Sequence, residues 1–276
     1  MQQTFQMEIQ EVLDAFESIE NIYPRVLPIT MWRAWELAAY RHFNLPEPVL
    51  DLACGDGSFF RLVWPNVQDV VGIDIDPTIV ESALASGVYK EVYNVSASEL
   101  PFEDSSFNSI FSNCALEHMD NIVGVMNEAH RVLRSKGIFL LSVVTNHFLD
   151  WTPLPFFTQI LGIPERWTTL RKEYERYHHL RNPFSAEKWN KLFEGAEFVI
   201  EQNIPIMPDA FAHVFLLFDQ LWHIPYQQTE ASTLMYPALL SLPNYSEGMH
   251  DILRGLYKLS ANDGQGAGIV FVLRKK

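Results

Sequence analysis

Short apolar runs alternate with amphipathic stretches through the middle of this 276-residue chain. Each run is apolar on both faces and is bounded by turn residues, which is typical of a strand buried in a parallel sheet. Because helical patterns separate most of the runs, they predict an α/β fold around a mostly parallel, seven-stranded sheet with right-handed crossovers. We predict the strands at Val49–Leu52, Val70–Asp74, Glu91–Val95, Ser109–Ser112, Ile138–Val144, Glu197–Ile204 and Gly268–Leu273.

Helical periodicity fills the spaces between the strands. We predict helices at Ser58–Trp64, Pro77–Ser86 and Asp120–Arg134, and a fourth that begins after the N-cap Ser185 and ends near Phe193. These elements define a core of residues 47–204 together with residues 264–276.

Residues 1–46 precede that core and carry two further helical patterns. One covers Glu11–Ile19, and the other runs from an expected N-cap at Thr30 to about His42. We interpret this segment as an N-terminal helical cap.

Two long insertions interrupt the core, at residues 146–184 and 205–263. Insertions of this length in a compact domain are usually functional or bind a partner. We predict that both insertions are helical. They form either a subdomain that closes its own core or a lid over an acceptor pocket, and these two interpretations are compatible. A contact in a homodimer is a further alternative. The aromatic residues of the first insertion include Phe148, Trp151, Phe156, Phe157, Trp167, Tyr174 and Tyr177, and helical spacing in the second relates Phe211, Val214, Phe215, Phe218, Leu221 and Trp222.

Composition narrows the choice of partners. The net charge of −14 argues against a nucleic-acid partner, because phosphates repel such a surface. No stretch reaches the ~20 consecutive apolar residues that a transmembrane helix needs. Residues 1–9 lack the pattern of a secretory signal, and the two cysteines, Cys54 and Cys114, indicate reduced thiols rather than a disulfide framework. We therefore expect a cytoplasmic protein.

A tight glycine turn follows the first predicted strand. Asp51 ends the apolar run, and Gly55 and Gly57 follow, where the missing Cβ atoms let the backbone bend sharply and approach a ligand. The next helix would point its free N–H groups at that ligand. Asp74 closes the second strand 19 residues after Gly55, where its carboxylate can accept hydrogen bonds from two ribose hydroxyls, and Ile75 can cover an adenine face.

The details of this turn distinguish two families. A dinucleotide-binding fold would have a third glycine where this chain has Phe60, and it has no use for the acid Asp51. The pattern acid-x-small-x-Gly-x-Gly instead resembles motif I of the class I S-adenosylmethionine (SAM)-dependent methyltransferases. The resemblance continues through Ser96–Phe107, Ile110–His118 and Glu128–Gly137, and it is specific for the small-molecule "type 11" branch. It implies a Rossmann-like class I methyltransferase fold and SAM as the cofactor.

The resemblance also implies which residues contact the cofactor. This chain departs from the family pattern in three places. Ala53 replaces the first glycine of motif I, and Ser96 replaces the acid that usually contacts the adenine amino group. The turn expected before the fifth strand, usually Lys-Pro-Gly-Gly, is Arg134-Ser135-Lys136-Gly137. The expected cofactor residues are Asp51, Ala53, Cys54, Gly55, Asp56, Gly57, Asp74, Ile75, Ser96, Ala97, Asn113 and Cys114.

Candidate catalytic residues follow the fourth and fifth strands. His118 is the first candidate for a general base, and His147 is the second. We expect Glu117 to face solvent, and the neighbours His178 and His179 to lie on the surface or on the lid. No metal-ligand spacing is present, so no metal site is expected. Arg33 or Tyr23 could reach the methionine carboxylate of SAM from the N-terminal helices, and Gly264–Gly268 is interpreted as a flexible turn.

The predicted activity is SAM-dependent methyl transfer to a small, partly apolar metabolite by in-line displacement. Oxygen is the first choice of acceptor atom, with nitrogen and carbon as alternatives. Two other classes stay open, a non-catalytic SAM-binding or scaffold protein and, less favoured, an NAD-dependent oxidoreductase.

Overall fold

The computed structural model describes residues 7–23, 27–223, 225–226, 229–260 and 264–276. Residues 1–6 and 24–26 of the predicted N-terminal cap lie outside the described residues, as do residues 224, 227–228 and 261–263 of the second insertion.

A seven-stranded sheet forms the centre of the fold, which confirms the predicted fold class. The strands are β1 (Val49–Leu52), β2 (Val70–Asp74), β3 (Glu91–Asn94), β4 (Phe107–Asn113), β5 (Leu133–Val144), β6 (Phe198–Ile206) and β9 (Gly268–Lys275), and β7 (Pro225–Tyr226) pairs separately with β8 (Thr229–Glu230). The spatial order is β3-β2-β1-β4-β5-β9-β6, and only β9 runs antiparallel to its neighbours. The parallel strands β1, β2 and β4 therefore bring their carboxyl ends to one edge of the sheet.

Helices cover both faces of the sheet and make up most of the insertions. The described helices are α1 (Ile9–Glu20), α2 (Leu27–Tyr40), α3 (Ser58–Val63), α4 (Pro77–Ser86), α5 (Ile122–Val132), α6 (His147–Asp150), α7 (Leu154–Ile160), α8 (Arg166–Tyr177), α9 (Ala186–Gly195), α10 (Asp209–Trp222), α11 (Ser232–Leu240) and α12 (Tyr245–Leu259). In the described ranges, no helix combines the length and the apolarity that a membrane span needs.

Capping residues explain where several helices begin. The side chain of Ser185 accepts a hydrogen bond from the backbone N–H of Lys188, which confirms the predicted N-cap of α9. The predicted N-cap at Thr30 is wrong, because α2 already includes Leu27 and Thr30 is buried within the helix. Its hydroxyl donates to the carbonyl of Tyr23 at 3.3 Å, so the group that suggested a cap bonds to the segment before the helix.

The end of α5 also differs from the prediction. The helix stops at Val132 rather than at the predicted Arg134, and β5 begins at Leu133 rather than at the predicted Ile138. Lys136 has a φ of +61° in this irregular start of the strand.

Two apolar layers hold the sheet between them. On one face the core includes Phe16, Trp35 and Phe211 from α1, α2 and α10, and on the other it includes Met126 and Trp189 from α5 and α9. Trp35 and Phe211 pack edge to face with ring centroids 5.2 Å apart. The N-terminal helices and the second insertion therefore share one core on the same side of the sheet.

Candidate functional site

The loop after β1 has the backbone conformation that glycines favour. Ala53, Gly55 and Gly57 have φ values of +60°, +57° and +81°. A Cβ at Gly55 would meet no atom within 4 Å, whereas a Cβ at Gly57 would lie 2.7 Å from the ring of Tyr89. Gly55 thus leaves the backbone open to a ligand, and Gly57 is required because a side chain fills the space behind it.

Tyr89, which is not among the predicted site residues, supports this loop from beneath. Its hydroxyl donates to Asp51 Oδ2 at 2.7 Å and lies 3.1 Å from the carbonyl oxygen of Cys54. Asp51 is 2% exposed, and burial raises the pKa of its carboxyl to about 7 although the bond from Tyr89 offsets part of the rise. A buried acid needs a donor, but no local pattern identifies a tyrosine far along the chain as that donor.

A cavity of about 620 Å³ opens between this loop and the ends of β2 and β4. It contains eight of the predicted cofactor residues: Ala53, Gly55, Asp74, Ile75, Ser96, Ala97, Asn113 and Cys114. The other four do not line it: Asp51, Cys54, Asp56 and Gly57.

These four residues build the loop. Besides the contacts of Asp51 and Gly57 with Tyr89, the Asp56 side chain accepts from the backbone N–H of Ser58 at 2.9 Å, at the start of α3. The Cys54 thiol packs where a Cβ on Gly72 would lie, at 2.9 Å. Their placement indicates a structural contribution to the site.

Polar groups occupy opposite ends of the first cavity. Asp74 accepts hydrogen bonds from the backbone N–H groups of Gly55 at 3.3 Å and Asp76 at 3.0 Å, which fixes its carboxylate at the cavity edge. The Ser96 hydroxyl lies 2.9 Å from that of Ser98. At the other end, Asn113 Oδ1 accepts from the Tyr40 hydroxyl at 2.9 Å.

A fully buried acid, Glu36 of α2, organises the end of β4. Its carboxylate accepts from Trp32 Nε1 at 3.0 Å, Arg33 Nη1 at 2.5 Å, Cys114 Sγ at 2.9 Å and Ser142 Oγ at 2.7 Å. No local sequence pattern identifies Glu36, because its donors come from three separate segments of the chain. This network positions Cys114 and Arg33 beside the cavities.

A second cavity of about 280 Å³ lies between the N-terminal cap and the insertions. It shares Cys114 and His118 with the first cavity, so the two meet at the turn after β4. Its remaining walls are Pro28, Ile29, Trp32, Arg33, Glu117, Val144, Phe148, Tyr177, His178, Leu180, Phe215, Asp219 and His223.

The two predicted catalytic histidines lie in different places. His118 is exposed to solvent, and its Nδ1 lies 3.3 Å from the carbonyl oxygen of His179. Partial desolvation by the surrounding residues lowers the pKa of the imidazole, which favours the neutral ring. With Nδ1 protonated toward that carbonyl, Nε2 carries the lone pair and can accept a proton. His147 instead stacks on Trp151 at 4.2 Å and lines neither cavity, so the geometry does not bring it to the site.

Glu117 contradicts the expectation that it faces solvent. It is 1% exposed and lines the second cavity. The first insertion buries it, because the backbone N–H groups of Arg181 and Asn182 both donate to its carbonyl oxygen at 2.8 Å. Within the described chain, neither side-chain carboxylate oxygen has a partner at hydrogen-bonding geometry. Burial raises the pKa of Glu117 to about 7, although the Cys114 thiol and the backbone N–H of Glu117 offset part of the rise.

A polar cluster joins the two insertions at the far side of the second cavity. Asp219 of α10 accepts from the Tyr174 hydroxyl at 2.6 Å and contacts His178 at 2.9 Å and His223 at 3.3 Å. His178, expected on the surface or on the lid, therefore turns inward from the first insertion toward Asp219 and lines the second cavity. Over the described residues, no group of three or more His, Cys, Asp or Glu side chains is arranged to hold a metal ion.

Residues 50–141 match the model of a family described as a methyltransferase domain of the type 11 group. A demethylmenaquinone methyltransferase of Symbiobacterium thermophilum is 28% identical over 162 residues, which is 54% of this chain and 64% of that protein. The alignment thus spans less than two thirds of that relative. A second protein of that name, from Tropheryma whipplei, is 28% identical over 70% of this chain and 82% of its own length.

Solved structures share the fold. A Thermotoga maritima protein described as a SAM-dependent methyltransferase, possibly a histamine N-methyltransferase, superposes with a TM-score of 0.55 at 18% identity, covering 95% of this chain and 99% of its own. A geranyl diphosphate C-methyltransferase of Streptomyces coelicolor, solved with S-adenosyl-L-homocysteine, gives a TM-score of 0.53 at 12% identity, covering 87% of this chain and 76% of its own.

Proposed function

This chain belongs to the class I SAM-dependent methyltransferases, and on that premise we propose that it transfers a methyl group from SAM to a small, partly apolar acceptor. The observation that carries the proposal is the meeting of two cavities at Cys114 and His118. The first has the polar groups of a nucleoside site, and the second is apolar, aromatic and covered by the insertions. In-line displacement needs this arrangement, because donor and acceptor must approach from opposite sides of the methyl carbon.

The residues of the first cavity fit SAM. The Asp74 carboxylate is placed to accept hydrogen bonds from the ribose hydroxyls, and Ile75, Val95 and Ala97 provide apolar walls for the adenine. The open backbone at Gly55 admits the part of the ligand next to the loop. When bound, SAM supplies an electrophilic methyl group on a positively charged sulfur.

Arg33 is our candidate for the methionine carboxylate of SAM. Its guanidinium lies 5.5 Å from the centre of the Phe59 ring, at the start of the helix that follows the glycine loop. Glu36 holds one nitrogen of the guanidinium, which leaves the rest of this five-donor group to receive an anion.

The insertions and the N-terminal helices would act as a lid that excludes water from the transfer. Trp32, Phe148 and Phe215 come from the cap, the first insertion and the second insertion, and all three line the second cavity. Their rings pack together: the ring centroid of Phe148 lies 5.8 Å from that of Trp32, and the centroid of Phe215 lies 5.4 Å from it. An acceptor there would be enclosed by apolar surface, with neutral His118 and buried Glu117 as the groups able to receive its proton.

Calorimetric titration with SAM tests the first half of the proposal. Asp74→Ala should weaken SAM binding about 10-fold or more, because a charged acceptor of two hydrogen bonds is lost. Glu81→Ala, which removes an exposed acid from α4, should bind SAM like the unchanged protein. Equal affinity of the Asp74→Ala and Glu81→Ala proteins would remove Asp74 from the ribose role, and tighter binding of NADH than of SAM would refute the proposal.

A further inference from the structure

One wall of the second cavity carries a buried carboxylate, that of Glu117, next to the Cys114 thiol. Both side-chain oxygens of Glu117 are buried and lack a hydrogen-bond partner. An unpaired buried charge is costly, and native proteins rarely keep one without a use. The cavity beside it is where a partner could enter.

The other charged groups of this cavity already have a partner or an assigned role. Arg33 is paired with Glu36 at 2.5 Å, and its remaining donors are assigned above to the methionine carboxylate of SAM. Asp219 is bound by Tyr174, His178 and His223. The indole N–H of Trp32 is directed to Glu36 as well. What the cavity offers a ligand is therefore an acceptor of hydrogen bonds with negative charge when ionised.

The aromatic lining favours the same kind of ligand. Because the Trp32 N–H is engaged, the indole can offer its ring, alongside the rings of Phe148, Tyr177 and Phe215. The faces of such rings attract cations, most strongly when water is excluded. A carboxylate among aromatic rings is the environment in which an ammonium group gains both an ion pair and ring contacts.

We propose that the acceptor is a primary or secondary amine on an apolar or ring-bearing body, and that Glu117 both binds its ammonium form and removes its proton. This inference rests on the proposed methyltransferase function, and it names nitrogen as the acceptor atom in place of oxygen.

The chemical step balances with Glu117 as the base. The ammonium gives one proton to the Glu117 carboxylate, so an N–H bond breaks and an O–H bond forms. The nitrogen lone pair then forms the N–C bond while the C–S bond breaks. The electron pair of the C–S bond stays on sulfur, which becomes a neutral thioether. The product leaves as a methylated ammonium ion, and Glu117 returns its proton to solvent before the next turnover.

The experiment uses the full-length protein with a panel of aralkyl amines of about 8 to 14 heavy atoms, sized for this cavity. Each amine, such as phenethylamine, is paired with the alcohol of the same shape, such as 2-phenylethanol. Binding is measured by calorimetry with S-adenosylhomocysteine present, and turnover by release of S-adenosylhomocysteine from SAM. We expect at least one amine to bind and to be methylated, and its alcohol to do neither.

Glu117→Gln keeps the shape of the side chain and removes its charge. It should weaken amine binding about 10-fold and lower kcat/KM about 100-fold or more, while SAM affinity stays unchanged. Glu173→Gln, the same change at an exposed position of α8, should change neither quantity. His118→Ala removes the other candidate base. The preference for the amine over the alcohol, which depends on Glu117, should persist in this variant.

Several results would overturn the inference. Methylation of alcohols but not amines, or no bound member of the panel, would exclude the amine class. Unchanged amine binding and kcat/KM in Glu117→Gln would remove Glu117 from the role. These outcomes differ from a failure of the proposed function, which would appear as loss of SAM binding in the unchanged protein.

Discussion

A carboxylate held without a partner should reduce stability when it ionises, and Glu117 allows this to be measured. Burial raises its pKa from 4.5 to about 7, so the folded state favours the protonated form. Below pH 4.5 the carboxyl is protonated in both the folded and the unfolded state, so it does not change the free energy of unfolding. As pH rises from about 4.5 to 7 the unfolded state ionises first, and the free energy of unfolding falls. Glu117→Gln cannot ionise, so it should be more stable than the unchanged protein at pH 8 by about 1–3 kcal/mol and nearly equal at pH 4.5.

Urea unfolding at pH 4.5 and pH 8 measures this difference. The pKa of Glu117 is also affected by Arg33, Glu36 and Cys114, and all three remain in the variant. A pH-dependent difference in the free energy of unfolding between the two proteins therefore comes from position 117. Glu173→Gln should show no such pH-dependent gain. A difference in stability between Glu117→Gln and the unchanged protein that is the same at both pH values would contradict the burial argument.

Among single residues, those whose role depends on their neighbours in the chain could be predicted from the sequence. Those whose role depends on contacts with distant segments could not. Gly55 and Asp74 were identifiable because a turn and a strand end place them. Glu117 was expected in solvent, since nothing near it in sequence reveals that residues 181–182 fold over its backbone. Tyr89 and Glu36 were missed for the same reason.

The two insertions form one unit through Asp219, and this element-scale contact can be broken. Asp219 of α10 holds Tyr174 and His178 of the first insertion, and several hydrogen bonds hold its pKa well below the usual range against the opposing effect of burial. Asp219→Asn removes the charge from a buried cluster, so it should lower the free energy of unfolding by about 2–4 kcal/mol. It should also raise KM for the acceptor, while SAM affinity stays the same because Asp219 lies outside the first cavity.

Chemical unfolding and limited proteolysis of the insertions measure the effect. Asp251→Asn, at an exposed position of α12 in the same insertion, is the matched control and should behave like the unchanged protein. If Asp219→Asn left both proteolysis and the acceptor KM unchanged, the two insertions would not act as a joint lid.

Elements with strong periodicity could be predicted from sequence, and their mutual placement could not. The strands of the sheet and the cap at Ser185 follow from local pattern. The helix start at Thr30 was wrong, because α2 already includes Leu27 and the Thr30 hydroxyl bonds to the carbonyl of Tyr23, in the segment before the helix. The packing of Trp35 against Phe211 joins segments far apart in sequence, so no local rule reveals it.

For the whole molecule, the central feature is the junction of two cavities at the turn after β4. One side is the cavity at the carboxyl ends of β1, β2 and β4 that we propose for SAM, and the other is a cavity lined by aromatic side chains of the N-terminal cap and the insertions. Binding of SAM alone would suit a non-catalytic scaffold equally well. Only the joined chamber distinguishes a catalyst from such a scaffold.

The most direct measurement is transfer of label from methyl-labelled SAM into a low-molecular-weight fraction of cell extract, followed by separation of the products. We predict a labelled small molecule that forms with the unchanged protein and with Glu81→Ala, and whose formation falls sharply with Asp74→Ala. If the protein binds SAM tightly and no small molecule from extract becomes labelled, the account of a methyltransferase acting across these two cavities is contradicted.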